Sequence, residues 1–306
     1  MTTNRSNDPA RQYSSTYAVD RSNQEEMSRL AVQDRMITAG MGGPLPEQPD
    51  AARFKRILDI ACGTGGWLIE VAKTYPGAVQ LVGIDVNHNM VEHARKQARA
   101  EGVSDRVEFH VMDALLALEF PKDYFDLVNA RLLTGFMRTW DWPKLLDEIQ
   151  RIARPDAIIR ISEVARTFTS ISSATLIAKA VGDALYNSGH LFKPGKTDEF
   201  SAEGTAGIAD ELPRLMSQYG VQNVQVYRTT LEFPQGTPAG ESLAQDMRLA
   251  SRTLAPFIRK WAQLPENYDE LCKKIEHETQ QPGFTASWDM VTVWGTRRPA
   301  KTQPDL

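Results

Sequence analysis

Asp59, Asp85 and Asp113 recur at or near the ends of three successive short apolar runs, and the first run breaks into Cys62-Gly63-Thr64-Gly65-Gly66. Glycines in such a turn let the backbone approach a ligand where any Cβ would collide, and carboxylates at strand tips lie where open α/β sheets hold their ligands. These residue types suit a nucleoside, with a positively charged group expected nearby. A dinucleotide fingerprint requires a third glycine, and counting from Gly63 and Gly65 that position is Leu68. Asp85 lies about 20 residues beyond Gly65, the spacing at which an acid accepts from ribose hydroxyls. Asp113, beside the free N–H of Ala114, offers a carboxylate for the amino group and a donor for a ring nitrogen of adenine. Ribose without a pyrophosphate is the better fit.

The elements that must position these acids alternate. Arg56 to Cys62, Gln80 to Asp85, Val107 to Asp113, Asp126 to Ala130 and Ala157 to Val164 read as strands. Trp67 to Thr74, Asn89 to Glu101 and Trp142 to Ala153 carry apolar residues at three-to-four spacing and read as helices. Strands alternating with helices predict a parallel sheet. Further on, helical stretches at Ile171 to Tyr186 and Ala206 to Tyr219 precede a strand at Val224 to Phe233. Two more, Glu241 to Trp261 and Asn267 to Gln280, separate it from a last strand at Met290 to Thr296. Ser22 and Glu25 have capping-box spacing and open a helix that places Arg29 and Gln33 on one face, near Tyr13 and Tyr17, as a lid would. The expected fold is α/β, a Rossmann-like seven-stranded, mostly parallel sheet with helices on both faces, an N-terminal lid helix and an inserted helical cap. The expected organisation is an arm and lid over 1–45, a core over 46–167, a cap segment over 168–220, the last two strands with a helical insert (239–282) over 221–298, and a tail over 299–306.

Bulk properties narrow the partners. Of 306 residues, 42% are hydrophobic and 24% charged, and the net charge of −4 argues against a general affinity for phosphate backbones. Two cysteines are too few for a disulfide framework or a cysteine-based zinc site, so no metal is expected and a reducing, cytoplasmic location is. No stretch approaches the ~18 apolar residues of a membrane helix, so no membrane partner is expected.

With Leu58-Asp59-Ile60-Ala61-Cys62-Gly63-Thr64-Gly65 in view, the chain resembles the class I S-adenosylmethionine-dependent methyltransferases. It is similar in particular to the small-molecule enzymes of ubiquinone, menaquinone and natural-product biosynthesis, over most of residues 13 to 165. Ala61 stands where that family most often has glycine, and Asp156-Ala157 replaces its usual Gly-Gly turn. The resemblance implies S-adenosylmethionine as cofactor, with Asp59, Ala61, Gly63 and Gly65 in the glycine turn and Asp85 on the ribose. It implies Asp113 and Ala114 on the adenine, Val86 and Met90 flanking it, and Asn129 and Ala130 at the methionine end. Tyr17 and Arg29 would close from the lid, Arg29 on the methionine carboxylate. The implied activity is methyl transfer to a small, hydrophobic or aromatic metabolite by in-line displacement.

Tyr13, Phe136 and Met137 are candidate substrate contacts, and His190, after the first cap helix, is the candidate proton acceptor, its ordinary pKa suiting that role. Glu163 either faces the pocket or caps the next helix. The lid helix and exposed insert could supply a homodimer contact. Two other readings fit the fold: a non-catalytic S-adenosylmethionine-binding regulator of secondary metabolism, separable by measured turnover, and a nicotinamide-dependent oxidoreductase. Sequence after the fourth strand, Asn129-Ala130-Arg131-Leu132, lacks the Pro-Pro-aromatic motif of nucleic-acid amino-methyltransferases.

Overall fold

Seven strands form one sheet in the order β3-β2-β1-β4-β5-β7-β6. A computed structural model describes residues 24–192 and 206–298; the expectations placed on Tyr13, Tyr17 and Ser22 lie outside the described residues. In chain order the elements are α1 (Gln24–Gly40), β1 (Arg56–Ile60), α2 (Gly66–Thr74), β2 (Gln80–Asp85), α3 (His88–Ala100), β3 (Val107–Val111), β4 (Phe125–Arg131), α4 (Trp142–Ile152) and β5 (Ala153–Thr169). There follow α5 (Ser172–Asn187), α6 (Ala206–Gln218), β6 (Val221–Glu232), α7 (Pro238–Thr253), α8 (Ala255–Trp261), α9 (Tyr268–Glu278) and β7 (Ala286–Arg297).

Strands β1 to β5 pair in parallel, and β7 runs antiparallel between β5 and β6. Ile57, Leu58 and Ile60 of β1 are fully buried, as a strand covered by helices on both faces must be. The chain steps outward from β1 through β2 to β3, then returns to place β4 on the other side of β1. Where strand order reverses in this way, the loops at the strands' C-terminal ends part and leave a crevice. The sheet thus puts the glycine turn after β1 beside the segment after β4.

Local chemistry sets the helix boundaries. Asn87 caps α3, its Oδ1 accepting from the amides of Asn89 at 2.8 Å and Met90 at 3.2 Å. Helix α4 buries Trp142, Leu145, Leu146, Ile149 and Ile152, one apolar stripe against the sheet. The expected single helix over Glu241 to Trp261 is two, α7 and α8, because Pro256 lacks the N–H and the room to continue α7. Thr237, whose hydroxyl accepts from Gly240 at 3.1 Å, starts α7 at Pro238, earlier than apolar spacing suggests. Strand β5 begins at Ala153, earlier than expected. Asp156 within it has φ +64, a left-handed conformation that explains why a glycine pair is usual there. Helices α5, α7, α8 and α9 pack with α1 and parts of β6 and β7 around an apolar cluster that includes Ile177, Leu243, Ile258 and Leu271. No helix among the described residues is long and apolar enough to cross a membrane.

Candidate functional site

The turn after β1 is built from left-handed residues: Ala61 at φ +55, Gly63 at +53, and Gly65 at +77 as the cap of α2. A Cβ added at Gly63 would meet nothing within 4 Å, so the backbone there faces open space; one at Gly65 would stand 2.6 Å from the Phe109 ring of β3. The first glycine therefore makes room for a ligand, and the second lets the turn pack on the sheet. Ala61 accepts a backbone conformation costing about 1–2 kcal/mol for a residue with a Cβ, which is the physical reason relatives favour glycine. Asp85 ties the tip of β2 to this turn. One carboxylate oxygen accepts from the Gly63 amide at 3.0 Å, the other from the Asn87 amide at 2.9 Å.

Over the turn lies α1. Its Leu30, Gln33 and Asp34 join Asp59, Ala61, Cys62, Gly63, Thr64, Arg131, Leu132 and Phe136 around a cavity of about 90 Å³. Asp34 reaches the N-terminus of α2 at Gly66, where the helix dipole favours an anion, and pairs with Arg131. Arg131 also donates to the Thr38 hydroxyl at 3.1 Å, and its guanidinium lies 5.8 Å from the Trp67 ring. The cavity thus joins one cation to two carboxylates at its walls. That distribution complements a zwitterion: an α-carboxylate for Arg131, an α-ammonium for Asp34 and Asp59.

Beneath the cavity runs a polar row across the sheet. Asp59, Asn129 and Arg160 are register neighbours on β1, β4 and β5, so their side chains share one face. The Asn129 amide donates to Asp59 and its carbonyl accepts from Arg160, both at 2.7 Å. Arg160 in turn makes a bidentate pair with Glu47, at 2.7 and 3.3 Å, each side chain 1% exposed. Asp59 lies one residue further from that pair, and burial pushes its carboxyl up to about 7 against the opposing pull of Arg131.

Glu163 resolves the alternatives left by sequence: it caps a turn from across the sheet. Its carboxylate accepts from the Leu133 amide at 2.6 Å and the Thr134 hydroxyl at 2.8 Å, fixing the turn Leu133–Gly135 after β4. Burial raises it from 4.5 to about 7. Between those values the folded protein holds a proton the unfolded chain has lost, so this group's stabilisation is present below about pH 4.5 and is lost as pH rises to about 7. Glu163→Gln is expected to flatten that dependence. Urea unfolding at pH 5 and pH 7 should show the parent losing about 2–3 kcal/mol relative to the variant; parallel pH profiles would contradict the assignment.

The expected residues distribute unevenly. Asp59, Ala61, Gly63 and Phe136 line the cavity, and Gly65 supports the turn. Asp113 is half-buried with one oxygen accepting from Leu115 at 2.8 Å, Ala114 packs in the core, and Val86 keeps part of its surface exposed. Several expected residues lie outside the cavity lining. Met90, Asn129, Ala130 and Met137 have no exposed surface, so their side chains are core or network rather than pocket wall. Arg29 is drawn away by a buried pair with Asp246 of α7 at 2.8 Å. His190 is 1% exposed, bonded to the Ser188 hydroxyl at 2.7 Å and edge-on to Phe257, within the apolar cap and outside the cavity lining. Asp34, Arg131, Glu47 and Arg160 were missed. A charge inside the apolar run Ile158-Ile159-Arg160-Ile161 was the available signal, because a buried charge demands a partner.

Comparison with known proteins bears on this geometry. A family model described as a methyltransferase domain matches residues 57–156. The chain is 29% identical over 148 residues to methyltransferase GfsG of Streptomyces halstedii, covering 48% of this chain and 51% of that protein. It is 36% identical over 122 residues to norajmaline N-methyltransferase of Rauvolfia serpentina (40% of each). With demethylmenaquinone methyltransferase of Thermus thermophilus it shares 38% over 109 residues (36% and 47%). The chain spans about half the length, or less, of these curated relatives. The YcgJ protein of Bacillus subtilis shares the fold, with a TM-score of 0.50 at 17% identity over 84% of this chain and 99% of that one. Residues 57–156, which carry the glycine turn and strands β1 to β4, thus match a methyltransferase domain.

Proposed function

We propose that the protein transfers a methyl group from S-adenosylmethionine to a small, predominantly apolar molecule. The observation that carries this reading is the cavity at the glycine turn, where Arg131 opposes Asp34 and Asp59 above a Gly63 that leaves space for a ligand. The cofactor supplies an electrophilic methyl on a sulfonium: a bond forms from the acceptor's nucleophilic atom to that carbon, the carbon–sulfur pair returns to sulfur, and the acceptor's proton leaves to solvent.

The chain's own residues bind and orient. Arg131 would take the amino-acid carboxylate, Asp34 and Asp59 the ammonium, Asp85 the ribose hydroxyls, and Asp113 with the Ala114 amide the adenine edge. Ionised Asp59 suits an ammonium, so with its carboxyl held near 7 cofactor affinity should rise from pH 6 to pH 8. Helix α1 covers the turn and excludes water. Holding the reacting atoms about 3 to 3.5 Å apart is most of what such a site must do, so no acid–base residue is required for acceptors that are nucleophilic on their own.

Two measurements test this reading. Purified protein incubated with S-adenosylmethionine and a panel of phenols, amines and carboxylic acids should release S-adenosylhomocysteine; tight cofactor binding with no turnover across the panel would favour a regulator instead. Asp85→Ala should weaken S-adenosylhomocysteine binding at least tenfold by calorimetry, since hydrogen bonds to a charged group contribute about 1.5–3 kcal/mol. An unchanged affinity would remove Asp85 from the site.

A further inference from the structure

Between the end of β5, the start of β7 and helices α5 and α7 lies a second cavity, of about 270 Å³, whose walls include Ile177, Val181, Gly182, Leu243, Met247 and Trp288. Among its described lining residues Lys179 alone carries a charge, and that side chain lies at the exposed mouth. A cavity of about 150 Å³ walled by aliphatic side chains holds one benzene ring, so this one has room for about two fused rings. At Gly182, in mid-helix, a Cβ would meet nothing within 4 Å, so that face of α5 is open where most helices place a side chain. Helix formation disfavours glycine there, and the space it leaves is part of the cavity.

The cavity is not remote from the glycine turn. Leu132, in the left-handed conformation at φ +57, lines the cofactor-side cavity and also packs against the apolar cluster that supplies Ile177, Leu243 and Met247. Helix α7 is tied to α1 by the pair of Asp246 with Arg29; α1's Leu30 lines the first cavity, and α7's Leu243 and Met247 line the second. The first cavity is lined at the C-terminal ends of β1 and β4, and the second at the C-terminal end of β5, Thr167 to Thr169, where it pairs with β7.

We propose that this second cavity receives the apolar body of the methyl acceptor, a molecule with a fused bicyclic frame or an equal apolar volume. The occupant's identity as acceptor rests on the methyl-transfer reading; the site itself does not. The cap is then a specificity element: α5 and α7 select by volume and apolarity, and Leu132 separates the acceptor's body from the cofactor.

The probe is 2-naphthol, titrated into the full-length protein while tryptophan emission is followed, because Trp288 forms one wall. Quenching is expected in the parent and should be lost in Trp288→Phe. Gly182→Leu fills the cavity while favouring the helix, and should weaken 2-naphthol binding at least tenfold with S-adenosylhomocysteine affinity, by calorimetry, unchanged within twofold. No binding of 2-naphthol, or equal binding by Gly182→Leu, overturns the proposal. If 2-naphthol binds and Gly182→Leu abolishes it while S-adenosylhomocysteine never binds, the cavity stands as an apolar-ligand site and the methyl-transfer reading fails.

Discussion

Arg131→Met is expected to weaken S-adenosylhomocysteine binding about a hundredfold. Hydrogen bonds to a charged partner contribute about 1.5–3 kcal/mol, and the upper part of that range corresponds to a factor of a hundred. The effect should fall there because the arginine has two tasks: it is the cation of the cavity, and it neutralises Asp34, which otherwise stands near Asp59 with no opposing charge at the wall. Arg131→Lys, which keeps the charge but not the planar fork, should give an intermediate loss. The informative control is Arg29→Met. In the structure Arg29 joins α1 to α7 through Asp246, so its removal should lower thermal stability and leave cofactor affinity within a few-fold. Calorimetry showing the larger affinity loss for Arg29→Met would restore the lid arginine as the carboxylate's partner.

Glu47→Leu should destabilise the fold by about 3–5 kcal/mol, because it strands the Arg160 guanidinium, 1% exposed, with the Asn129 carbonyl and the Trp67 ring as its remaining neutral support. For a chain of this size that is a fall in melting temperature of roughly 10 °C. The double variant Glu47→Leu with Arg160→Met should recover much of the loss, since replacing both members of a buried pair by apolar groups is often neutral or stabilising. A single variant within about 1 kcal/mol of the parent would show that water reaches the pair. The pair's position gives it a functional consequence as well. Through Asn129 it fixes the Asp59 end of the polar row, so the double variant should fold yet bind S-adenosylhomocysteine more weakly.

How much of this was legible in the sequence differs by level. The first four strands were found because each is an apolar run of five to seven residues bounded by turn chemistry; Gln80–Asp85 matched to the residue. Boundaries failed where one residue overruled periodicity. Pro256 divides a helix that its apolar pattern would continue, and Thr237 begins one earlier than the apolar residues do. At the site, the acids at strand tips and the glycines were legible because backbone conformation and strand-end position follow from local sequence. The direction of Arg29 was not. Spacing placed it on a helix face with Gln33, yet of the two only Gln33 lines the cavity, because Arg29 pairs with Asp246 on α7, 217 residues away in sequence. His190 likewise looked available in a loop, but the cap folds over it.

The sequence by itself determined the alternation of strands and helices, the turn at Gly63 and Gly65, and the acids at or near the ends of β1, β2 and β3, because each depends on interactions among residues a few positions apart. Only the tertiary structure decided which charges meet. It joins Asp59 to Asn129, Arg160 and Glu47 across three strands, closes Asp34 onto Arg131, and sets a polar cavity beneath α1 and an apolar one between α5 and α7. The reason is physical: a buried charge must find an opposite partner or lose its ionised form, and which partner it finds is set by sheet order and helix packing, which bring together residues far apart in the chain.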